Sequence, residues 1–173
     1  EEKPHSLERL FKTDMTSVGA NCCFHLNLPP NRDGLIDEKD VERLKEFKKL
    51  LDKELGRRIP AKITKTKNCM PTQPKYEIEF EEPRDDIKYI ILLEDIAQGQ
   101  RIESFQIEAE GEDGCKFPFY QGTTVGNKKI CQLVDPFEGQ NPLTRTIDSS
   151  LKRLYVQVTS ARDEVFMKSI EVC

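Results

Sequence analysis

Apolar residues recur at helical spacing in two segments near the start of the chain. Ser6 is a favourable N-cap residue for the first segment, and Gly19 is placed to end it. Asp37 is a favourable N-cap residue for the second segment, and Gly56 is placed to end it. The apolar stripes are Leu7, Leu10, Phe11, Met15 and Val18 in the first, and Val41, Leu44, Phe47, Leu51 and Leu55 in the second. This spacing predicts two helices.

The connection between the predicted helices alternates in polarity over residues 21–28 and ends at Pro29-Pro30. One side of this predicted strand carries Cys22, Phe24, Leu26 and Leu28, and the other carries Asn21, Cys23, His25 and Asn27. A strand with one apolar face between two helices is typical of an α/β barrel, which needs about eight such units and ~250 residues. We therefore expect residues 1–56 to be the final helix–strand–helix of a barrel whose other units lie elsewhere.

From Tyr76 onward apolar and polar positions alternate, which is the period of a β-strand. Strands are predicted at 76–80, 87–93, 104–109, 129–133, 151–158 and 165–172. Turn signals such as Asp113-Gly114 separate them, which favours an antiparallel β-sandwich over residues 76–173. Residues 57–75 are rich in Pro, Lys and Thr and are predicted to be a linker.

The composition restricts the partners that the chain is expected to have. Charged residues make up 34% of the 173 residues, the net charge is −4, and no basic stripe is visible, so we expect no nucleic-acid partner. No apolar run approaches the ~20 residues of a membrane span. Glu1-Glu2-Lys3 is not followed by an apolar segment, so we expect no signal peptide within the chain.

The six cysteines show no zinc-binding spacing, and we expect neither a metal nor an organic cofactor. Three disulfides could form in any of 15 connectivities. However, Cys22 and Cys23 are adjacent within an apolar run, which favours buried, reduced thiols.

Carboxylates are plentiful, but their pattern does not predict a catalytic pair. Glu77, Glu79, Glu81 and Glu82 fit a solvated strand face. Glu94 and Asp95 are adjacent on a predicted strand and therefore point to opposite faces. A Cys23–His25 dyad has no visible orienting group and is a weak candidate. We expect no catalytic residue in this chain.

Two stretches resemble glycoside hydrolase family 29, the α-L-fucosidases. The first is Ser17-Val-Gly-Ala-Asn-Cys22 with Leu26-Asn-Leu-Pro-Pro-Asn-Arg-Asp-Gly-Leu-Ile36. The second is Leu93-Glu-Asp-Ile-Ala-Gln-Gly-Gln-Arg-Ile-Glu-Ser-Phe105 with Gln121-Gly-Thr-Thr-Val-Gly-Asn-Lys-Lys-Ile130. The subgroup resembled prefers α-1,3 and α-1,4 linkages. The resemblance implies an α+β fragment: the last strand and helices of a (β/α) barrel, then an antiparallel β-sandwich of the galactose-binding-like jelly-roll type.

The resemblance also implies the C-terminal portion of a retaining hydrolase that removes terminal α-linked fucose from glycans. Such hydrolysis needs two carboxyl groups about 5–5.5 Å apart. In the family both lie upstream of the residues matched here, so this chain alone is expected to be inactive. Its expected partners are a fucosylated glycan and a catalytic barrel supplied by upstream sequence or a second chain. The parent enzyme would be secreted, periplasmic or on the cell surface.

Two groups of residues are candidates for contact with a sugar. Asn27 at the end of the barrel strand and Arg32 just beyond it would lie at the substrate rim, where barrels place active sites. Phe117, Phe119 and Tyr120 would form a possible sugar-stacking loop, in a stretch where relatives often have a Trp that this chain lacks. Gln100 and Arg101 are expected to dock the sandwich against the barrel. The alternatives are a free-standing carbohydrate-binding module or a purely structural sandwich.

Overall fold

A computed structural model describes residues 3–67, 69–137, 139–140 and 150–173. Helix α1 is Leu7–Thr16 and helix α2 is Glu38–Leu55. The strands are β1 (Lys62–Lys65), β2 (Lys75–Arg84), β3 (Tyr89–Glu94), β4 (Ile102–Gly111), β5 (Lys116–Gly122), β6 (Lys129–Gln132), β7 (Val134–Asp135), β8 (Gly139–Gln140), β9 (Leu151–Ala161) and β10 (Met167–Val172). No helix in these ranges is long and apolar enough to cross a membrane.

Both helices begin at the residues that the sequence predicts. The Ser6 hydroxyl accepts the backbone N–H of Arg9, and the Asp37 carboxylate accepts that of Lys39. Each side chain thus satisfies one of the N–H groups that a helix start leaves unpaired. Helix α2 ends at Gly56, as predicted, where the Gly56 N–H donates to the Asp52 carbonyl. Local capping chemistry therefore fixes the helix boundaries.

The strands form two antiparallel sheets that face each other, together with a small β7–β8 hairpin. The larger sheet has the order β1-β2-β9-β4-β5, and the smaller has the order β10-β3-β6. Alternate residues of β2, β4 and β9 point inward, as shown by Ile78, Ile107 and Val156, which are fully buried. Most of the fold is thus antiparallel sheet around one apolar core, as predicted.

Strand β3 is buried on both of its faces. Ile90 and Leu92 belong to the core between the two sheets. Tyr89 and Ile91 alternate with them and pack with Phe11 of α1 in a second apolar cluster. The two helices therefore lie on the outer face of the smaller sheet, and the molecule has three layers.

Residues 21–28 were predicted to be a strand, but they form no strand in the described structure. The segment from Cys22 to Pro29 has no strand assignment, and isolated bridges lie on either side of it, from Ala20 to Lys129 of β6 and from Pro30 to Ile36. A strand is defined by pairing with a neighbour, and no described strand lies beside this segment. Alternation of side chains alone was insufficient to predict pairing.

The interval 57–75, expected to be a linker, contributes to the sandwich. Its residues Lys62–Lys65 form β1, which pairs antiparallel with β2, and Ile59 is buried in the core. The Ile59 N–H donates to the Val172 carbonyl at 2.8 Å. Part of this interval therefore belongs to the larger sheet.

All six cysteines are free thiols. Cys131 and Cys173 are buried, as expected, and burial raises the pKa of the Cys131 thiol to about 12. Cys22, Cys23 and Cys115 are exposed, so the expectation of burial is wrong for these three. The reason for Cys22 and Cys23 is that their segment lies outside both sheets.

The outer face of the larger sheet carries a network of charges centred on Arg153. Its guanidinium lies 3.0 Å from Glu77, 2.5 Å from Glu79 and 3.2 Å from Glu110. The Arg153 side chain lowers the pKa of Glu79, mainly through the hydrogen bond. A hydrogen bond from the Tyr155 hydroxyl, with help from Lys116 and Arg153, lowers the pKa of Glu110. This face is thus held by carboxylates that favour their ionised form.

We expect acidification to weaken the fold through this network. A carboxyl with a pKa lowered by folding stabilises the native state above its unfolded pKa, about 4.3 for a glutamate, and that contribution is lost as the pH falls further. Arg153→Met should therefore show a smaller difference in urea midpoint between pH 7 and pH 3 than the wild type. Lys168→Met, at an exposed position of β10, is the control and should keep the wild-type difference. If Arg153→Met kept the wild-type pH dependence, the carboxylates around Arg153 would not be the cause of the loss of stability at low pH.

Candidate functional site

The segment between the helices, Cys23 to Leu28, is neither helix nor strand and is unpaired. Among the described residues, no backbone–backbone hydrogen bond reaches any residue from Cys23 to Leu28. The segment lies against α2, where the Phe24 and Phe47 rings meet edge to face with centroids 6.3 Å apart. Buried backbone groups are almost always paired in native proteins. This stretch therefore has backbone donors and acceptors that remain open to water or to another strand.

Asn27 lies near the carboxyl end of this segment and is exposed. It lines a cavity of about 140 Å³ between the segment, the residues before α1 and the first turns of α2. Asp40 and Arg43 of α2 line the same cavity. The Arg43 Nε atom lies 3.3 Å from the Glu46 carboxylate. It is buried and forms no hydrogen bond with this or any other acceptor of the described structure. The polar groups that line the cavity with Asn27 thus come from α2 and from Lys3 and His5 before α1, which the sequence analysis did not indicate.

Arg32 lies in the exposed turn that leads from the segment to α2. The Asn31 side chain shapes this turn, because its Oδ1 accepts the backbone N–H groups of Asp33 and Leu35 at 3.0 and 2.9 Å. Gly34 supplies the positive φ of 78° that the turn requires. The neighbouring Leu35 side chain is 65% exposed. The turn therefore presents a cation and an apolar side chain to solvent.

The aromatic residues expected in a loop lie on strand β5, so the loop expectation is wrong. A bulge at Phe119 lets Phe117 and Tyr120 pair opposite the inward-facing Ala109 and Ile107 of β4. Both rings are half-buried and pack against the core, and burial raises the pKa of Tyr120 to about 12. Part of each ring is thus covered by protein. Their role in sugar stacking stays a prediction.

Glu94 is a buried carboxylate that joins two loops at one end of the sandwich. Its Oε1 accepts the backbone N–H groups of Arg101 and Ile102 at 2.7 and 3.1 Å, and its Oε2 accepts that of Gly126 at 3.0 Å. Only 2% of the residue is exposed. A carboxylate with three backbone donors is well satisfied without a counter-ion. The sequence analysis missed this role, because it considered Glu94 and Asp95 only as a catalytic pair, whose side chains would point to opposite faces of a strand.

Gln100 and Arg101 are adjacent in the sequence but bind different parts of the chain. The Gln100 Oε1 accepts a hydrogen bond from the Asn21 side chain at 3.0 Å. The Arg101 guanidinium donates to the Glu164 carbonyl at 2.6 Å and to Gln98 at 3.0 Å. Gln100 therefore docks the sandwich to the residue that precedes the extended segment, whereas Arg101 braces the loops of the sandwich itself.

Several carboxylates of the larger sheet share one partner. Glu77, Glu79 and Glu110 converge on Arg153. Burial raises the pKa of Asp14, and Lys128 opposes this effect, but Asp14 lies on α1 against the smaller sheet. Across the part of the chain that the structure describes, no group of three or more His, Cys, Asp or Glu side chains could hold a metal ion. The candidate site therefore consists of Asn27 and Arg32, at and just beyond the end of the unpaired segment Cys23–Leu28.

Comparison with known proteins identifies relatives of the chain. No protein-family model matches it. It is 29% identical over 167 residues to alpha-L-fucosidase 1 of Arabidopsis thaliana, a match that covers 81% of this chain and 33% of that protein. The chain thus spans about a third of the length of the curated relatives it matches.

Solved structures match almost the whole chain. A glycoside hydrolase 29 family member from an unknown rumen bacterium is 26% identical with a TM-score of 0.76, covering 96% of this chain and 28% of that chain. A Ruminococcus gnavus GH29 fucosidase in complex with fucose has a TM-score of 0.80 at 18% identity, covering 98% of this chain and 37% of its own, and shows the fold alone. The resemblance to family 29 α-L-fucosidases that the motifs indicated is confirmed.

We expect Glu94→Gln to destabilise the chain by about 1.5–3 kcal/mol, the usual effect of losing a hydrogen bond to a buried charged group. The substituted amide places its NH₂ group against the Gly126 N–H, so that two donors meet. The measurement is the free energy of unfolding in urea. Asp95→Asn is the matched control, because Asp95 is exposed and an amide oxygen can still accept the Ala97 N–H. Equal effects of the two substitutions would contradict the role of Glu94.

Proposed function

We propose that this chain is the C-terminal portion of a retaining α-L-fucosidase that hydrolyses terminal α-linked fucose from glycans. In this proposal residues 3–56 provide the last strand and two helices of a catalytic (β/α) barrel. The remainder provides a supporting sandwich of the galactose-binding-like jelly-roll type. The observation that carries the proposal is that Cys23–Leu28 lies between two helices and has no backbone partner among the described residues.

The unpaired segment is the structural reason to expect a barrel. Each strand of a closed barrel pairs with a neighbour on both sides. Cys23–Leu28 has the length of such a strand and alternates in polarity, and no backbone hydrogen bond reaches it in the described structure. Leu26, Leu28 and Leu44 nearby are only half-buried. Neighbouring barrel strands would pair these edges and cover the apolar side chains.

Asn27 and Arg32 are proposed to contribute to the substrate rim. Active sites of such barrels lie at the carboxyl ends of the strands, and both residues occupy that end of the segment. Asn27 can donate to and accept from sugar hydroxyls, and Arg32 can orient an acceptor sugar or brace a carboxylate. Preference for α-1,3 and α-1,4 linkages belongs to the same proposal and rests on the sequence resemblance.

The catalytic carboxylates are proposed to come from outside this chain. A general acid must hold its proton near neutral pH, which requires a raised pKa. Glu79 and Glu110 have the opposite property, because the hydrogen bonds from Arg153 and Tyr155 lower their pKa values. These residues also lie on the outer face of the larger sheet, on the far side of the sandwich from the helices.

We expect the purified chain to release no aryl alcohol from an aryl α-L-fucoside, because the proposal places the pair of carboxyl groups that retaining hydrolysis requires outside this chain. The measurement is a long incubation at high protein concentration, with an intact family 29 fucosidase as the positive control. Turnover above buffer that disappears when a carboxylate within residues 1–173 is substituted would contradict the proposal.

The division of the chain at residues 56 and 76 is also a proposal. The pairing of β1 with β2 supports a folding unit that starts nearer residue 57 than residue 76. We expect a chain of residues 57–173 to unfold cooperatively but at a lower temperature than the full chain. The loss follows because removing the helices exposes Tyr89, Ile91 and Ile130, and each buried apolar side chain contributes about 1.5–3 kcal/mol. Calorimetry provides the measurement. A product without a cooperative transition would show that the sandwich depends on the helices.

A further inference from the structure

Asn21 marks the point where the chain leaves the sandwich and enters the extended segment. Its backbone has a φ of 64°, in the left-handed region that Asn tolerates better than most residues. Just before it, the Ile130 N–H of β6 donates to the Gly19 carbonyl at 2.8 Å. The chain is therefore paired to the smaller sheet just before this point, and among the described residues no backbone hydrogen bond reaches Cys23 to Leu28.

The Asn21 side chain makes two hydrogen bonds to the sandwich. Its Oδ1 accepts the backbone N–H of Asn127 at 2.7 Å, and its NH₂ group donates to the Gln100 Oε1 at 3.0 Å. Gly126 is required beneath it, because a Cβ there would overlap the Asn21 amide. These three groups, Asn21, Gln100 and Asn127, are called the Asn21 latch.

The sandwich side of the latch is held in place independently of Asn21. Glu94 accepts the N–H groups of Arg101 and Gly126, which are the neighbours of Gln100 and Asn127 in the sequence. One buried carboxylate therefore fixes both loops that face Asn21. The donor and the acceptor are in position before Asn21 binds them, so little ordering is needed to close the latch.

We propose that Asn21 is a positioning residue: through the Asn21 latch, the sandwich fixes the start and direction of Cys22–Leu28 and thereby the place of Asn27 and Arg32. The role of that rim rests on the proposed function. Asn27 is six residues from Asn21, and an extended chain advances about 3.3 Å per residue. With no backbone bonds along Cys23–Leu28 in the described structure, the Asn21 latch acts together with the Phe24–Phe47 contact to set the direction of the segment. A misplacement of about 1 Å at a reacting centre can reduce the rate about 100-fold.

Exchanging amides for carboxylates of the same shape tests the latch. Asn21→Asp still accepts from Asn127, and Gln100 can turn its amide to donate to the new carboxylate. Gln100→Glu still accepts from Asn21. Only the double variant Asn21→Asp/Gln100→Glu sets two carboxylates against each other. Asn21→Asp/Gln98→Glu is the matched control, because it adds the same charge on the same loop while Glu can still accept from Arg101.

The readouts on the 173-residue chain are ¹⁵N order parameters and amide exchange. In the first double variant we expect order parameters of Cys22–Leu28 to fall to about 0.6 or below. Exchange of the Ile130 amide should accelerate about tenfold or more, while exchange in β9 changes less than about threefold. The single variants and the matched control should resemble the wild type. Unchanged order in the first double variant, or an equal loss of protection in β9, would overturn the latch.

Turnover separates the latch from the proposed function. In the fucosidase that carries this chain, Asn21→Asp/Gln100→Glu should lower kcat/KM about tenfold or more, and the matched control should not. Wild-type kcat/KM in that variant, despite a disordered segment, would overturn the positioning role. Absence of turnover in the wild-type enzyme would instead overturn the proposed function, and the order parameters would still decide whether the latch exists.

Discussion

Burial of β3 on both faces is the constraint on which the arrangement of the molecule depends. Ile90 and Leu92 close the core between the sheets, while Tyr89 and Ile91 need a second cover on the other side. The helices provide that cover through Phe11 and the later turns of α2. A strand with apolar side chains on both faces cannot lie at a surface without exposing one row of them. The helices and the sandwich are therefore parts of one packed structure.

Polar groups reinforce this packing where it meets the loops. Glu54 of α2 is buried, and its carboxylate lies 3.3 Å from the Tyr89 hydroxyl and 3.5 Å from the Lys88 ammonium group. At the opposite end of β3, Glu94 binds backbone N–H groups of two loops. Both ends of the central strand thus have a buried carboxylate with partners, which removes the cost of burying an unpaired charge.

The sequence predicted the elements whose signals are local. Ser6, Asp37 and Gly56 mark helix boundaries because capping involves residues only a few positions apart. Alternation predicted β2, β4 and β9 because each has one face in the core. The run from Tyr89 to Leu93 carried a further signal that was not used, since a continuous apolar strand indicates burial on both faces.

Features that depend on distant residues could not be predicted in the same way. The segment Cys22–Leu28 alternates like a strand, but pairing needs a neighbour that the described chain does not provide. Strand β1 has no apolar period because it is an exposed edge held by β2. The Asn21 latch joins residues 79 and 106 positions apart, so its donors and acceptors become visible only once the chain is folded.

Helix α2 contacts both the sandwich and the segment between the helices. Helix α2 packs toward the smaller sheet through Leu51 and Leu55, and Phe47 contacts Phe24 of the segment. Its apolar residues are thus divided between two partners. A helix that contacted the sandwich alone would need one apolar stripe, facing β3. The contact between Phe47 and Phe24 adds a second partner, so the position of the segment depends on α2 as well as on the sandwich.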